Sequence, residues 1–215
     1  MHNFLTKLSK VLPSLACICF VSPLISNAQN TLNPHYFYLV KGELVGRGIA
    51  LGDPSNWNIN IQGREGSSAG GKVSVMPTNF KATGDAIQIK WSPRKKMIGN
   101  LALYGNPIDL SKFKDAASLT IDMRVDVKPD KDVRVGLGCG YPCRADLSIS
   151  KMIKGMPKGE WFSLPIPLNC FKGDDFDLSK INSPFSIATD GKFTLSITNI
   201  RLEKLAEGDK GCASE

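Results

Sequence analysis

Strict alternation of apolar and polar side chains constrains this chain more than any other feature. From residue 119 to 127, Leu119, Ile121, Met123, Val125 and Val127 share one parity against Thr120, Asp122, Arg124 and Asp126. Trp57, Ile59 and Ile61 alternate with Asn58, Asn60 and Gln62, and Ile87, Ile89 and Trp91 with Gln88, Lys90 and Ser92. Val133, Val135 and Leu137 continue around Arg134; Phe162, Leu164, Ile166 and Leu168 repeat the pattern, as do Phe193, Leu195 and Ile197. A two-residue period puts successive side chains on opposite faces of a strand, so each run reads as a strand with one buried and one wet face. After Ile197 the apolar parity moves to Ile200 and Leu202, which predicts a bulge.

Turn-forming residues separate the runs: Gly52-Asp53-Pro54-Ser55, the stretch from Gly63 to Gly71, Pro129-Asp130-Lys131 and Asp190-Gly191. The last pair, between Phe185-Ile187 and Phe193-Ile197, predicts a hairpin. Helical periodicity is poor, with single turns expected after Asp109-Leu110-Ser111 and Asp177-Leu178-Ser179. About eight to ten strands without intervening helices predict one all-β sandwich domain. On this face assignment Trp57 and Trp91 belong to the core.

Residues 1–28 read as an export signal. Lys7 and Lys10 precede an apolar stretch from Val11 to Ile25, and Ser26-Asn27-Ala28 supplies small residues before Gln29. Pro13, Pro23 and the polar end argue against a membrane span; lipidation at Cys17 is the variant reading. Residues 29–38 form a lead-in and 204–215 a polar tail. Export leaves Cys139, Cys143, Cys170 and Cys212 in a compartment where disulfides persist. Four cysteines allow three pairings: Cys139 can close a small ring with Cys143, leaving Cys170 to Cys212, and Cys143–Cys170 is the rival.

The residues argue against most catalysis. Histidine occurs only at His2 and His35, and there is no GxSxG elbow, HExxH or P-loop. The whole chain carries 27 basic and 20 acidic residues, and its one dense basic cluster, Arg94-Lys95-Lys96, follows Pro93 without interleaved aromatics. Nucleic acid is therefore not an expected partner; an acidic polysaccharide or envelope phosphates stay open as counter-charges.

Several segments together resemble a known family. They are residues 101–111 (LALYGNPIDLS), 121–125 (IDMRV), 135–143 (VGLGCGYPC), 159–171 (GEWFSLPIPLNCF), 177–181 (DLSKI), 184–189 (PFSIAT) and 195–202 (LSITNIRL). In order and spacing they resemble the C-terminal galactose-binding-like domain of bacterial exo-1,3/1,4-β-glucanases of glycoside hydrolase family 3, over residues 39–203. The resemblance implies a galactose-binding-like jelly-roll β-sandwich, shared with carbohydrate-binding modules; it does not imply glucanase activity, because the catalytic carboxylates of those enzymes lie in preceding domains. It also implies that a structural calcium ion is common in such sandwiches, with Asp53 or Gly173-Asp174-Asp175 as oxygen sources; no cofactor is otherwise required.

Sugar recognition combines an aromatic platform with hydrogen-bonding side chains. Trp161, opposite the Phe162-Leu164-Ile166 face, and Tyr141, inside the small candidate disulfide ring, are the aromatic candidates. Gln88, Asp122, Arg124 and Arg134 are the polar candidates, with an Asp–Arg salt-bridge lattice as the competing reading. The expected function is non-catalytic, reversible binding of a β-glucan or related polysaccharide, in the periplasm or secreted from a Gram-negative bacterium. The alternative is a module that docks on an envelope or secreted enzyme.

Overall fold

In the computed structural model, residues 32–93 and 96–212 are described. The export segment with Cys17, and the Arg94-Lys95 pair, lie outside the described residues. The strands are β1 (Phe37–Val40), β2 (Glu43–Leu44), β3 (Gly48–Asp53), β4 (Asn56–Ile61) and β5 (Gly66–Ser67). They continue as β6 (Val73–Thr78), β7 (Ala86–Trp91), β8 (Gly99–Tyr104), β9 (Ala117–Val127) and β10 (Val133–Gly138). The last four are β11 (Arg144–Ser148), β12 (Trp161–Pro167), β13 (Ser183–Thr189) and β14 (Phe193–Lys204). One short helix, α1 (Ser150–Gly155), follows β11. The two expected single turns are 3-10 helices at Ser111–Phe113 and Leu178–Lys180.

All paired strands are antiparallel and form two sheets. An eight-stranded sheet runs β12-β9-β14-β7-β6-β5, with β1 beside β14 and β2 beside β1; a six-stranded sheet runs β11-β10-β13-β8-β3-β4. The alternating positions meet between them. Ile87, Ile89, Trp91, Ile121, Met123, Leu195 and Ile197 of one sheet, and Leu51, Leu101, Leu103, Val135, Phe185 and Ile187 of the other, are fully buried in one core. Trp91 stacks on Phe193 with ring centroids 5.4 Å apart, and its indole N–H donates to the Gly99 carbonyl at 2.8 Å. The bulge expected after Ile197 is present: the register of β14 against β9 shifts between Ile197 and Asn199, returning Ile200 to the core.

Two expectations fail. Asp190-Gly191 makes a turn but not a hairpin, because β13 pairs with β10 and β8 whereas β14 pairs with β9, β7 and β1. The chain crosses there from one sheet to the other, and both turn carbonyls are held by the buried Lys72 ammonium, at 2.6 Å from Asp190 and 3.0 Å from Gly191. Trp57 is not core: β4 is the edge strand of its sheet, and the side chain is 54% exposed. Alternation gives the face of a strand, not whether the opposite sheet reaches it.

The disulfides are Cys139–Cys143 and Cys170–Cys212. The second ties the tail to the end of β12, and by the chain-entropy model a loop of 42 residues contributes about 4 kcal/mol.

Lys72 is the unusual core member. It is fully buried, and its Nζ also donates to the Ser92 carbonyl at 3.1 Å. Burial lowers its pKa, and the nearby charges of Asp190 and Asp130 oppose that shift. Gly99 makes room for its stem, since a Cβ there would lie 2.5 Å from Lys72 Cγ. Lys72→Met keeps the apolar length but strands three carbonyls; we expect a loss of about 3 kcal/mol or more and a Tm lowered by roughly 6–12 °C. Thermal unfolding followed by circular dichroism checks this; an unchanged Tm contradicts it.

Candidate functional site

The sandwich has two outer faces, and the candidate residues divide between them. On the eight-stranded sheet, Trp161 pairs with Arg124, Arg124 with Ser196, and Ser196 with Gln88, so these side chains form one row across β12, β9, β14 and β7. Asp122 and Asp126 flank that row on β9. The structure thus brings Gln88, Asp122, Arg124 and Trp161 together, and it satisfies them internally. Asp126 is the hub: Arg124 Nε donates to its Oδ1 at 2.6 Å, while Gln88 Nε2 and Ser196 Oγ donate to Oδ2 at 2.9 and 2.6 Å. Asp122 accepts from the Ser163 hydroxyl, from Asn199 Nδ2 at 2.7 Å and from Arg201, whose guanidinium also pairs with Glu203 at 2.6 Å. Burial pushes the Asp122 carboxyl up, but donation from Ser163, Arg201 and Asn199 outweighs it and holds the group below the usual carboxylate range. The Trp161 ring is half-buried, with Phe80 at 4.6 Å between centroids and the Arg124 guanidinium 5.1 Å from its own. This is the salt-bridge lattice that competed with sugar binding in the sequence.

The outer face of the six-stranded sheet is built differently. Its central positions carry little side chain: Ala188 and Asn100 lie in one cross-strand row with Gly52, and Gly136, Ser186, Ala102 and Ala50 form the next. A depression of about 240 Å³ opens on this floor, lined among others by Ala102, Gly138, Tyr141, Arg144, Asn182 and Ser186. Tyr141 stands on its rim, 98% exposed. Its loop is closed three times: by the disulfide, by Cys139 N–H to Cys143 O at 2.9 Å, and by Cys143 N–H to Gly140 O at 2.7 Å. The backbone carrying the ring therefore has little freedom to lose on meeting a ligand.

Tyr104, on the same outer parity of β8, lies across β3: a Cβ on Gly48 would stand 2.6 Å from its ring. Arg134 shares the row of Ala188 and pairs with Asp132 at 3.0 Å, its side chain still 57% exposed; Arg144 pairs with Asp146 at 2.6 Å. Asn100 lines the floor, but its Oδ1 is buried against Gly52 without a hydrogen-bond partner. The two faces thus divide the candidates, with Arg134 and Tyr141 on this one. Sequence reasoning missed Asn100, Tyr104, Arg144, Asn182 and Ser186. The outward parity of β8 and β13 was readable, but small residues there carried no chemical signal until the sheet placed them side by side.

The residues named for calcium have other partners or stand exposed. Asp53 is buried, yet its oxygens accept N–H donors from Ser55 at 2.9 Å and Gly70 at 2.7 Å. Asp174 and Asp175 are exposed, and among the described residues no three acidic, histidine or cysteine side chains converge.

Neutralising the lattice tests its role. Asp122→Asn should cost about 1–3 kcal/mol in urea unfolding near neutral pH. Because the folded carboxyl titrates below its unfolded value, its contribution is present above about pH 4 and fades as pH falls through the depressed pKa. The gap between wild type and variant should close only in acid; a gap that closes near neutrality contradicts the assignment.

Comparison with known proteins agrees with this architecture. Among solved structures, the extra C-terminal domain of the exo-1,3/1,4-β-glucanase ExoP from a Pseudoalteromonas species superposes with a TM-score of 0.65 at 19% identity, covering 83% of this chain and 99% of that domain. The longer glucanase structure gives the same score at 22% identity over 78% of this chain, which spans only 20% of the enzyme's length. A family 30 carbohydrate-binding module from a cellulosomal cellulase of Clostridium thermocellum matches with a TM-score of 0.54 at 15% identity, covering 75% of this chain and 94% of the module. No curated protein matches the sequence. The Exop_C family model, described as galactose-binding domain-like, matches residues 49–202, and the chain belongs to that family.

Proposed function

We propose that this protein is a non-catalytic carbohydrate-binding module that docks reversibly on a β-glucan through the outer face of its six-stranded sheet. The observation that carries the reading is the junction of an exposed Tyr141, carried on a disulfide-closed loop, with a small-residue floor. A pyranose offers an apolar face to a ring and hydroxyls to amides, hydroxyls and guanidinium groups, and this face supplies each kind of partner. Tyr104 extends the aromatic surface, Arg144 and Asn182 provide donors along the depression, and Arg134 adds one beside Ala188. The β-glucan assignment is supported by the glucanase in which the similar ExoP domain occurs, and the module assignment by the family 30 match. Gln88, Asp122, Arg124 and Trp161 act in this reading as the stabilising lattice of the opposite face.

Two disulfides support a working place outside the cytoplasm, consistent with the export signal read from residues 1–28. Among the described residues, no helix is long and apolar enough to cross a membrane.

Isothermal titration with soluble β-1,3- and mixed-linkage β-glucans tests the reading. The protein should bind saturably, and Tyr141→Ala should weaken binding about tenfold or more while leaving the unfolding curve unchanged. Heat-silent titrations with both glucans, or equal binding by the variant, would overturn it.

A further inference from the structure

Several arginines of this protein are paired with carboxylates, and a group of its lysines is not. Arg124, Arg134, Arg144 and Arg201 each have a carboxylate within ion-pair reach. Lys90, Lys96, Lys131 and Lys192 have none among the described residues. Those four lysines gather at one end of the sandwich. Lys90 and Lys192 line a cavity of about 600 Å³ on the outer face of the eight-stranded sheet, together with Ser74 and Thr194. Lys192 also lines an adjoining cavity of about 360 Å³ with Lys96 and Lys131.

The larger cavity has a definite construction. Ser74 pairs with Lys90 across β6 and β7, and Lys90 with Thr194 across β7 and β14. Lys90 is thus flanked by Ser74 and Thr194 on neighbouring strands about 4.8 Å to either side, and neither hydroxyl is engaged by another described residue. The cavity wall also includes Trp91, Val127 and the buried Lys72. Asp130 and Asp190 lie in the adjoining cavity and face Lys72; Asp130 Oδ1 also accepts the Lys192 backbone N–H at 2.6 Å. Lys90 and Lys192, with no carboxylate in ion-pair reach, converge with two hydroxyls on one concavity and make an anion site, and lysine's compact point charge suits oxyanions of varied geometry.

We propose that this end of the sandwich binds the anionic substituent of an acidic polysaccharide, a sulfate ester or a uronate carboxylate. The cavity takes such groups one at a time, and its hydroxyls hydrogen-bond to their oxygens. The exposed rings able to stack nucleobases, Trp57, Tyr104 and Tyr141, belong to the other sheet, which favours a glycan over single-stranded nucleic acid. The site is separate from the proposed β-glucan face and does not rest on it.

Affinity electrophoresis of the full chain at low ionic strength tests the proposal, in gels containing dextran sulfate, polygalacturonate or neutral dextran. Retardation is expected in at least one anionic gel and not in neutral dextran. The exposed double substitution Lys90→Gln/Lys192→Gln should lower the apparent affinity about tenfold or more, and Tyr141→Ala should leave it unchanged. Four results would overturn the proposal: no retardation by either polyanion, equal retardation of the double variant, loss with Tyr141→Ala alone, or equally strong binding to DNA or to phosphatidylglycerol vesicles. The Tyr141→Ala arm keeps its failure distinct from failure of the β-glucan reading.

Discussion

The apolar seam between the two sheets decides everything outside it. Once Ile121, Met123, Leu195 and Ile197 are committed to the seam from one side, and Leu101, Leu103, Phe185 and Ile187 from the other, every intervening residue must face outward. A register slip of one residue would drive Asp122, Arg124 and Asp126 into the core, where unpaired charges cost several kcal/mol each. The bulge between Ile197 and Asn199 keeps this rule over a twelve-residue strand whose apolar parity changes midway.

The two outer faces solve the same problem in opposite ways. The eight-stranded sheet covers its outer positions with long polar side chains that bond to one another, and Asp122 and Asp126 spend their oxygens on neighbouring arginines, amides and hydroxyls. A ligand competing for those groups would have to break charge-assisted bonds already formed. The six-stranded sheet leaves its centre almost bare, with Gly136, Ser186, Ala188 and Ala102, and concentrates its reach in Tyr141 and the arginines at the margins. Bareness in the middle and rigidity at the rim make a surface that a flat, hydroxylated chain can approach. At the end of the eight-stranded sheet, beyond the lattice, the unpaired lysines form a third kind of surface.

Much of this was legible in the sequence, for identifiable physical reasons. Period two gave the sandwich, the outward faces of β7, β9 and β12, and the change of parity in β14, because each depends only on local backbone geometry. The pairing of Cys139 with Cys143 was one of the readings the spacing allowed. What was not legible depends on long-range placement. The hairpin at Asp190-Gly191 failed because a turn motif does not say which sheet receives the next strand, and Lys72 anchors that crossing from 118 residues away in sequence. Trp57 failed because an edge strand can keep its alternation while the opposite sheet stops short. The floor under Tyr141 was invisible because alanines and glycines matter there only as the absence of side chains on four adjacent strands.

The central claim is that sugar binds on the six-stranded sheet and not on the lattice of charged residues behind it. Nuclear magnetic resonance of the 15N-labelled protein, titrated with a β-1,3-gluco-oligosaccharide, tests this most directly. The account predicts that perturbed amides cluster at Asn100–Tyr104, Gly138–Arg144 and Asn182–Ala188, with those around Arg124, Trp161 and Ser196 unmoved. Perturbations centred on Trp161 and Arg124 would contradict it.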